Sequence, residues 1–426
     1  MSINQKKTTN ILFEMQAVKS IEEHAQQLAS RTEKELSEIK SINFPTGNTL
    51  LEKEERVKLL KEKGILLDYI SKTKQFNNLD ALNGNIENYI GMAQIPIGVA
   101  GPILINGVYS TGDYYVPLAT TEGTLVASYN RGMKASRLSG GITSVCLSEG
   151  VQRSPFFKFE NFHTVALFIK WVHQQNEMFN SIVKKTSNYA ELEEIKTNVE
   201  GNSVILTFEY KTGDASGQNM VTICTDKICE YILEEFEIKP MEWYIESNYS
   251  GDKKATALSF SNVRGKKVVS EIVLKQEIVK QVLKTTPKKM AKYWQASTLA
   301  VIQSGSIGAQ GHIANALTAL FIACGQDVAT VSESSIGITR MEVNDDGDLY
   351  VSLTLPSLMV GTVGGGTALP TQKECLQMVD CYGENKAKKL AEIACSVALA
   401  GEISIASAMA ANHFTRAHKT LGRKKK

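Results

Sequence analysis

Ser203-Val-Ile-Leu-Thr-Phe-Glu-Tyr210 reads as a clear strand, and the segments on either side of it decide the architecture. Downstream, the pattern predicts a helix through Met220 to Phe236 and a strand from Met241 to Glu246. Upstream, it predicts a helix over Val165 to Phe179, followed by the polar stretch Lys184 to Glu194. Helix, strand, turn, helix and strand at this length describe an α+β insertion, a small antiparallel sheet backed by helices. Its turn, Asp214-Ala215-Ser216-Gly217-Gln218-Asn219, leads into a helix whose N-terminal amides suit phosphate. Taken alone, that motif is a turn and an N-cap. The usual dinucleotide fold needs GxGxxG between a strand and a helix. Gly305, Gly308 and Gly311 have the wrong spacing and no preceding strand, so the reading is α+β and non-Rossmann.

Working outward, residues 1–90 form a helical N-terminal region. Amphipathic helices are expected over Ala17 to Leu36 and Thr49 to Thr73, with a loop at Asn43-Phe-Pro-Thr-Gly47 between them. Glu87 to Val116 reads as short strands and turns. A helix is expected from Thr121, with the Thr120 and Thr121 hydroxyls as caps and Glu122 in the first turn, where a carboxylate suits the helix dipole. Ala255 to Arg423 reads as mainly helical, with strand near Asp348 to Leu355 and small residues crowding Ser304-Gly-Ser-Ile-Gly308 and Ala398 to Ala411. The division is therefore a large, mainly helical domain from 91–153 and 256–426, a small insertion at 154–245, and a loop at 246–255 joining them.

The 426 residues suffice for two or three domains at a soft prior of about 150 each. Hydrophobic residues at 43% and charged residues at 22% describe an ordinary globular chain. A net charge of +2 argues against a nucleic-acid or membrane-surface protein. Seven cysteines without a CxxC pair are neither a disulfide framework nor a zinc pattern, and six histidines show no metal-ligand spacing. No signal peptide is apparent, and no apolar stretch approaches the roughly 18 residues of a membrane span. The chain reads as cytoplasmic.

The chemistry-bearing residues are two acids, a lysine pair and a late histidine. Asp252-Lys253-Lys254 lies between Glu122, in Pro117-Leu-Ala-Thr-Thr-Glu122-Gly, and Asp327, in Gly325-Gln-Asp327, and His418 follows near the end. A fixed cation such as Lys253 stabilises charge developing on a carbonyl oxygen, although a lysine pair is usually just exposed. Asp327 follows the apolar run Leu320-Phe-Ile-Ala-Cys-Gly, and an acid there is usually paired. Pairing with Lys253 would keep the lysine charged and aimed. Partial burial of Glu122 would suit it to general-acid work, against the plainer reading of a helix-start residue.

These motifs, with Glu87-Asn-Tyr-Ile-Gly-Met-Ala-Gln-Ile-Pro-Ile-Gly-Val-Ala-Gly-Pro102 upstream and Gly361-Thr-Val-Gly-Gly-Gly-Thr367 downstream, closely resemble the 3-hydroxy-3-methylglutaryl-coenzyme A (HMG-CoA) reductase family. The resemblance runs from about Glu87 to Arg423. It implies a two-step reduction of HMG-CoA to mevalonate and coenzyme A with NADPH, or alternatively NADH, in isoprenoid synthesis, without a metal. It implies an inserted, ferredoxin-like α/β-sandwich cofactor domain, and a homodimer or dimer of dimers with shared active sites. Glu122, Lys253, Asp327 and His418 are then catalytic, with His418 protonating the departing thiolate. Arg153, Asn248, Asp252, Lys254 and Asn315 would hold the substrate, with Asn315 a partner in a core around Asp327 that also includes His312, and Asn130 and Arg131 would meet coenzyme A phosphates. Asp214, Ser216, Gly217, Gln218 and Asn219 match the family's cofactor motif with two substitutions, and Gly364, Gly365, Gly366 and Thr367 would border the cofactor at the subunit contact.

Three departures stand out. Gln295-Ala-Ser-Thr-Leu299 lacks the lysine of the family's Lys-Asn-Leu segment, and Glu246 replaces a serine before the substrate loop. The Ser-Arg-Phe segment that meets the extra phosphate of NADPH corresponds to Ser187-Asn188-Tyr189, with Lys184 and Lys185 one turn upstream as substitutes if that segment is helical. The short stretch after His418 resembles class I members, which in eukaryotes carry a membrane anchor with no counterpart in this chain. Oxidation of mevalonate by the same fold, or a non-catalytic coenzyme A-binding relative, are the alternatives.

Overall fold

The computed structural model describes residues 5–411. The N-terminal region holds four helices, α1 (Gln5–Val18), α2 (Ile21–Leu28), α3 (Glu33–Glu38) and α4 (Leu50–Glu62). The single helix expected over Ala17 to Leu36 is broken because Ser20 and Thr32 each start a new one. Both hydroxyls accept from the backbone N–H three residues on, and Glu23 and Glu35 reach back to complete capping boxes. Thr49 opens α4 in the same way, but the helix stops at Glu62, short of the expected Thr73.

Ten strands follow among the described residues: β1 (Ile97–Gly107), β2 (Thr111–Ala119), β3 (Ile142–Arg153), β4 (Phe156–Lys158), β5 (Glu191–Glu200), β6 (Ser203–Lys211), β7 (Glu242–Tyr244), β8 (Gly265–Leu274), β9 (Ile338–Val343) and β10 (Leu349–Leu358). The main order is β7-β4-β6-β3-β8-β10-β9, with β2 on β1, β1 on β3 and β5 on β6. β3 joins the two halves. Its first part pairs with β1 and β8, and its last residues, Val151 to Arg153, pair with β6. The large part carries more sheet than expected: beside its helices, β1, β2, β3, β8, β9 and β10 form an extensive mixed sheet.

The remaining helices are α5 (Leu125–Leu138), α6 (Phe162–Gln174), α7 (Asn176–Thr186), α8 (Gln218–Glu235), α9 (Gln276–Gln281), α10 (Pro287–Gln303), α11 (Ile313–Ala323), α12 (Val331–Ser334), α13 (Pro370–Met378) and α14 (Ala387–Ala410). Two cores form. The larger surrounds α14 and draws on β1, β2, β8, β10, α5 and α11. The smaller packs α6, α7 and α8 on the inner residues of β6, namely Val204, Leu206, Phe208 and Tyr210. α14 is long and apolar enough to cross a membrane, which corrects the expectation of no such stretch, but 83% of its apolar window is buried inside the fold. Its small residues let α5 approach closely. A Cβ on Gly132 would overlap the Ala400 carbonyl, and one on Gly401 the Tyr129 ring.

Two buried glutamates on α14 fasten loops to it. Glu392 accepts from the N–H of Tyr109 (2.9 Å), Ser110 (2.8 Å) and Cys146 (3.2 Å) and from the Ser110 hydroxyl (2.8 Å). Burial pushes its carboxyl up to about 7 while these donors pull it down. Glu402 accepts from Gly311 N–H (2.6 Å), His312 N–H (2.8 Å) and the Thr339 hydroxyl (2.9 Å), fixing the start of α11.

Candidate active site

The loop between β7 and β8 carries three residues in the left-handed backbone region: Asn248 (φ 66°), Gly251 (φ 76°) and Lys253 (φ 56°). For a lysine this conformation costs about 1–2 kcal/mol and persists only when its surroundings impose it. The restraint is visible. The Lys253 N–H donates to Glu333 Oε2 (2.6 Å), and Glu333, fully buried on α12, also accepts from Arg264 Nε (3.1 Å). Arg264 is buried too, and reaches Asp252 Oδ1 (2.7 Å) and the Gln152 carbonyl (3.1 Å). Burial raises the Glu333 carboxyl pKa, with Arg264 opposing it. So held, the Lys253 ammonium meets Asp327 Oδ2 at 3.0 Å. Asp327 is fixed in turn by the Ala329 N–H (3.1 Å).

Arg153 links this loop to the 214–219 motif. It donates to Glu246 (3.2 Å), to Asp252 (3.3 Å), and to the Gln218 carbonyl (3.3 Å) and side-chain oxygen (3.2 Å). Gln218 opens α8, an 18-residue helix, after Gly217 at φ 82°. The glycine run meets the same motif from the other side. Gly361 N–H donates to the side chain of Gln326, beside Asp327 (2.8 Å), and Thr362 N–H donates to the Asp214 carbonyl (2.8 Å). A Cβ on Gly361 would stand 2.6 Å from Ser216 N, so this approach requires glycine. Loops 248–254, 325–327, 361–367 and 214–219 are thus joined into a single site.

Four buried polar atoms in this region have no partner: Arg153 Nε, Gln218 Nε2, Glu246 Oε1 and Glu333 Oε1. Buried polar atoms are normally satisfied. Of these, the two donors, Arg153 Nε and Gln218 Nε2, lie where the lysine loop meets the start of α8, and with the free first-turn amides of that helix they fit an anionic, phosphate-bearing ligand.

Several expected site residues stand differently. Glu122 is exposed, not partly buried, and precedes α5 instead of lying in its first turn; Thr124, at φ 76°, occupies the cap. The Asp214 carboxylate is spent on the start of α14, accepting from Asn385 N–H (2.6 Å), Lys386 N–H (3.0 Å) and Ala387 N–H (2.9 Å). Helix starts leave such N–H groups unpaired, so Asp214 anchors the motif and does not present its carboxylate outward. Arg131 turns inward, with Nε and Nη2 on Ser404, and Asn130 accepts from Gly101 N–H (2.6 Å). Asn315 and His312 sit at the opposite end of α11 from Asp327. His312 caps the start of α11 and Asn315 is its third residue, so the rest of the helix, roughly 12 Å or more of rise, separates them from Asp327 beyond its other end.

Ser216 is half-buried and Asn219 exposed on the rim; Asn248 and Lys254 are exposed as well, with the Lys254 ammonium on the Asp252 carbonyl (2.9 Å). Lys184 and Lys185 are exposed in the last turn of α7, a helical segment; Ser187 accepts from Tyr189 and Ala190 N–H groups, and Asn188 is exposed. Gly364 and Gly365 are exposed, Gly366 abuts Gly325, and the Thr367 hydroxyl donates to the Gly364 carbonyl. His418 lies outside the described residues. Arg264, Glu333 and Gln326 were not anticipated, since no local motif marks them.

The model of the hydroxymethylglutaryl-coenzyme A reductase family matches residues 52–423. The 3-hydroxy-3-methylglutaryl-coenzyme A reductase of Pyrococcus abyssi is 42% identical over 389 residues, covering 89% of this chain and 95% of its own length. That of Aeropyrum pernix is 46% identical over 345 residues, covering 80% and 82%. In fold, the chain is similar to the class II reductase of Streptococcus pneumoniae bound to NADPH, with a TM-score of 0.68 at 18% identity over 84% of this chain and 96% of the other. The chain belongs to the hydroxymethylglutaryl-coenzyme A reductase family.

Proposed function

We propose that this chain reduces HMG-CoA to mevalonate, releasing coenzyme A, with NADPH as the preferred reductant and NADH as the alternative. The observation that carries the reading is the Lys253–Asp327 ion pair at 3.0 Å, held in the loop that Arg153 ties to Gln218. When bound, the nicotinamide supplies hydride. The chain's task is to orient the carbonyl, hold the charge that develops on its oxygen and deliver protons. Lys253 is the cation for that oxygen, and preorganised charge in a site that excludes water is where such stabilisation is large. Asp327 keeps it aimed. Arg153 and Lys254 serve the carboxylate and polar groups of the substrate, and Glu122 and His418 are the proton donors, the latter to the leaving thiolate.

For the cofactor, Ser216, Gly217, Gln218 and Asn219 offer backbone and side-chain donors at the start of α8, and Gly361 leaves room beside them. Lys184 and Lys185 supply positive charge for the 2′-phosphate in place of the arginine replaced by Asn188. Glu122 is exposed within one chain, and so is Ile90 in the separate segment 83–96. A second copy covering these residues would give Glu122 the shielding that general-acid work needs, which favours a homodimer or dimer of dimers with shared sites. The intact Lys253–Asp327 pair disfavours a non-catalytic relative. The test is oxidation of NADPH or NADH with HMG-CoA, set against reduction of the oxidised cofactors with mevalonate and coenzyme A. Thiol release and mevalonate formation in the forward assay are expected; turnover in neither direction would overturn the reading.

A further inference from the structure

We propose that Glu333, working with Arg264, is a positioning residue for the reduction: it sets the backbone of Lys253 so that the ammonium meets Asp327 and the reacting oxygen. The inference rests on the reading of Lys253 as the oxyanion's cation. Neither residue touches the proposed substrate space directly, and both are buried. The argument is geometric. Lys253 is a non-glycine residue at φ 56°, in a loop with two further left-handed positions, Asn248 and Gly251. A backbone of this kind does not hold itself, because the left-handed region is disfavoured for a side chain that bears a Cβ.

One contact fixes it. Glu333 Oε2 accepts the Lys253 N–H at 2.6 Å and the Arg264 Nε–H at 3.1 Å, so a single carboxylate oxygen ties the lysine's own peptide to a buried guanidinium. Arg264 fixes the preceding residue through Asp252 Oδ1 at 2.7 Å and anchors itself on the Gln152 carbonyl of β3. Consecutive residues of the loop, Asp252 and Lys253, are therefore held by the same pair from beneath. α12, which carries Glu333, begins four residues after Asp327, with Val328–Thr330 between them. Glu333 thus ties the lysine to the segment that bears its acid partner. The position of the ammonium relative to Asp327 depends on this brace, and a misplacement of about 1 Å at a reacting group can cost on the order of 100-fold in rate.

The experiment is a double-mutant cycle on the full chain. The variants are Glu333→Gln, Lys253→Ala and the two combined, with kcat and both KM values measured against HMG-CoA and NADPH and folding checked by thermal melting. Glu333→Gln is expected to lower kcat by roughly tenfold or more with the NADPH KM within about twofold, and to cost nothing further in the Lys253→Ala background, because residues that act through one another are non-additive. Equal losses in both backgrounds would show a merely structural role and overturn the proposal, as would a Glu333→Gln enzyme with wild-type kcat. Should the Gln variant not fold, Glu333→Asp, which keeps the charge for Arg264 but shortens the reach to the Lys253 N–H, is read through the same cycle. A Lys253→Ala enzyme that keeps more than a tenth of its rate would instead sink the underlying reading of the lysine, which separates the two failures.

Discussion

Replacing Gly361 by alanine tests the joint between the glycine run and the cofactor motif. A Cβ there would lie 2.6 Å from Ser216 N, 3.0 Å from the Asp214 carbonyl oxygen and 3.1 Å from the Ala215 carbonyl carbon, all backbone atoms. Against an ordinary contact near 3.4 Å the shortfall at Ser216 is about 0.8 Å (3.4 − 2.6). No side chain can swing away to relieve it. The motif cannot retreat freely either, because Thr362 N–H holds the Asp214 carbonyl at 2.8 Å and the Asp214 carboxylate holds the first residues of α14. Overpacking of this kind costs about 1–3 kcal/mol. If the strain falls on the motif in its cofactor-binding form, the KM for NADPH rises roughly 5- to 100-fold, at 1.4 kcal/mol per factor of ten. The assay is steady-state kinetics with NADPH varied at saturating HMG-CoA, alongside thermal melting. A KM within twofold of wild type with an unchanged melting temperature would refute the reasoning.

Glu392→Gln addresses pH and stability. Burial raises the folded carboxyl to about 7 from 4.5, so the folded state binds the proton more tightly than the unfolded chain, and stability due to this group is full below about 4.5 and falls as pH rises to 7. The loss is about 3 kcal/mol on the scale of 1.36 kcal/mol per pH unit, and thermal melts between pH 5 and 8 are expected to flatten in the Gln variant; a slope unchanged from wild type over that range would mean that the four donors outweigh burial. A Lys184→Ala/Lys185→Ala double variant is expected to lose NADPH selectivity while keeping NADH turnover. Unchanged ratios of kcat/KM for the two cofactors would remove both lysines from phosphate recognition.

The parts that were legible in the sequence are those whose cause is local. The Ser203 to Tyr210 strand appears as β6, extended only to Lys211, because its inner face is a row of large apolar residues that build the smaller core. The turn at 214–219 opens a helix as expected, since Gly217 supplies the left-handed residue before it. The Lys253–Asp327 pairing was readable from chemistry, as an acid after an apolar helix needs a partner. Elements set by tertiary pairing were less legible. β8 was missed because Gly265-Lys-Lys-Val-Val-Ser-Glu-Ile-Val-Leu274 carries charges that only its neighbours β3 and β10 explain. Asp214 looked like a ligand-facing acid, and the three N–H groups that claim it come from 171 to 173 residues away. Glu333 and Arg264 are separated by 69 residues and marked by no motif, so their bond to each other and to the lysine loop is visible only in three dimensions.

The most direct test of the account is the rate of Lys253→Ala with HMG-CoA and NADPH. Removing the cation proposed for the developing oxyanion is expected to lower kcat by roughly 10²–10³, with the melting temperature preserved because the ammonium is about half exposed. A folded variant that retains more than a tenth of the wild-type rate would contradict it.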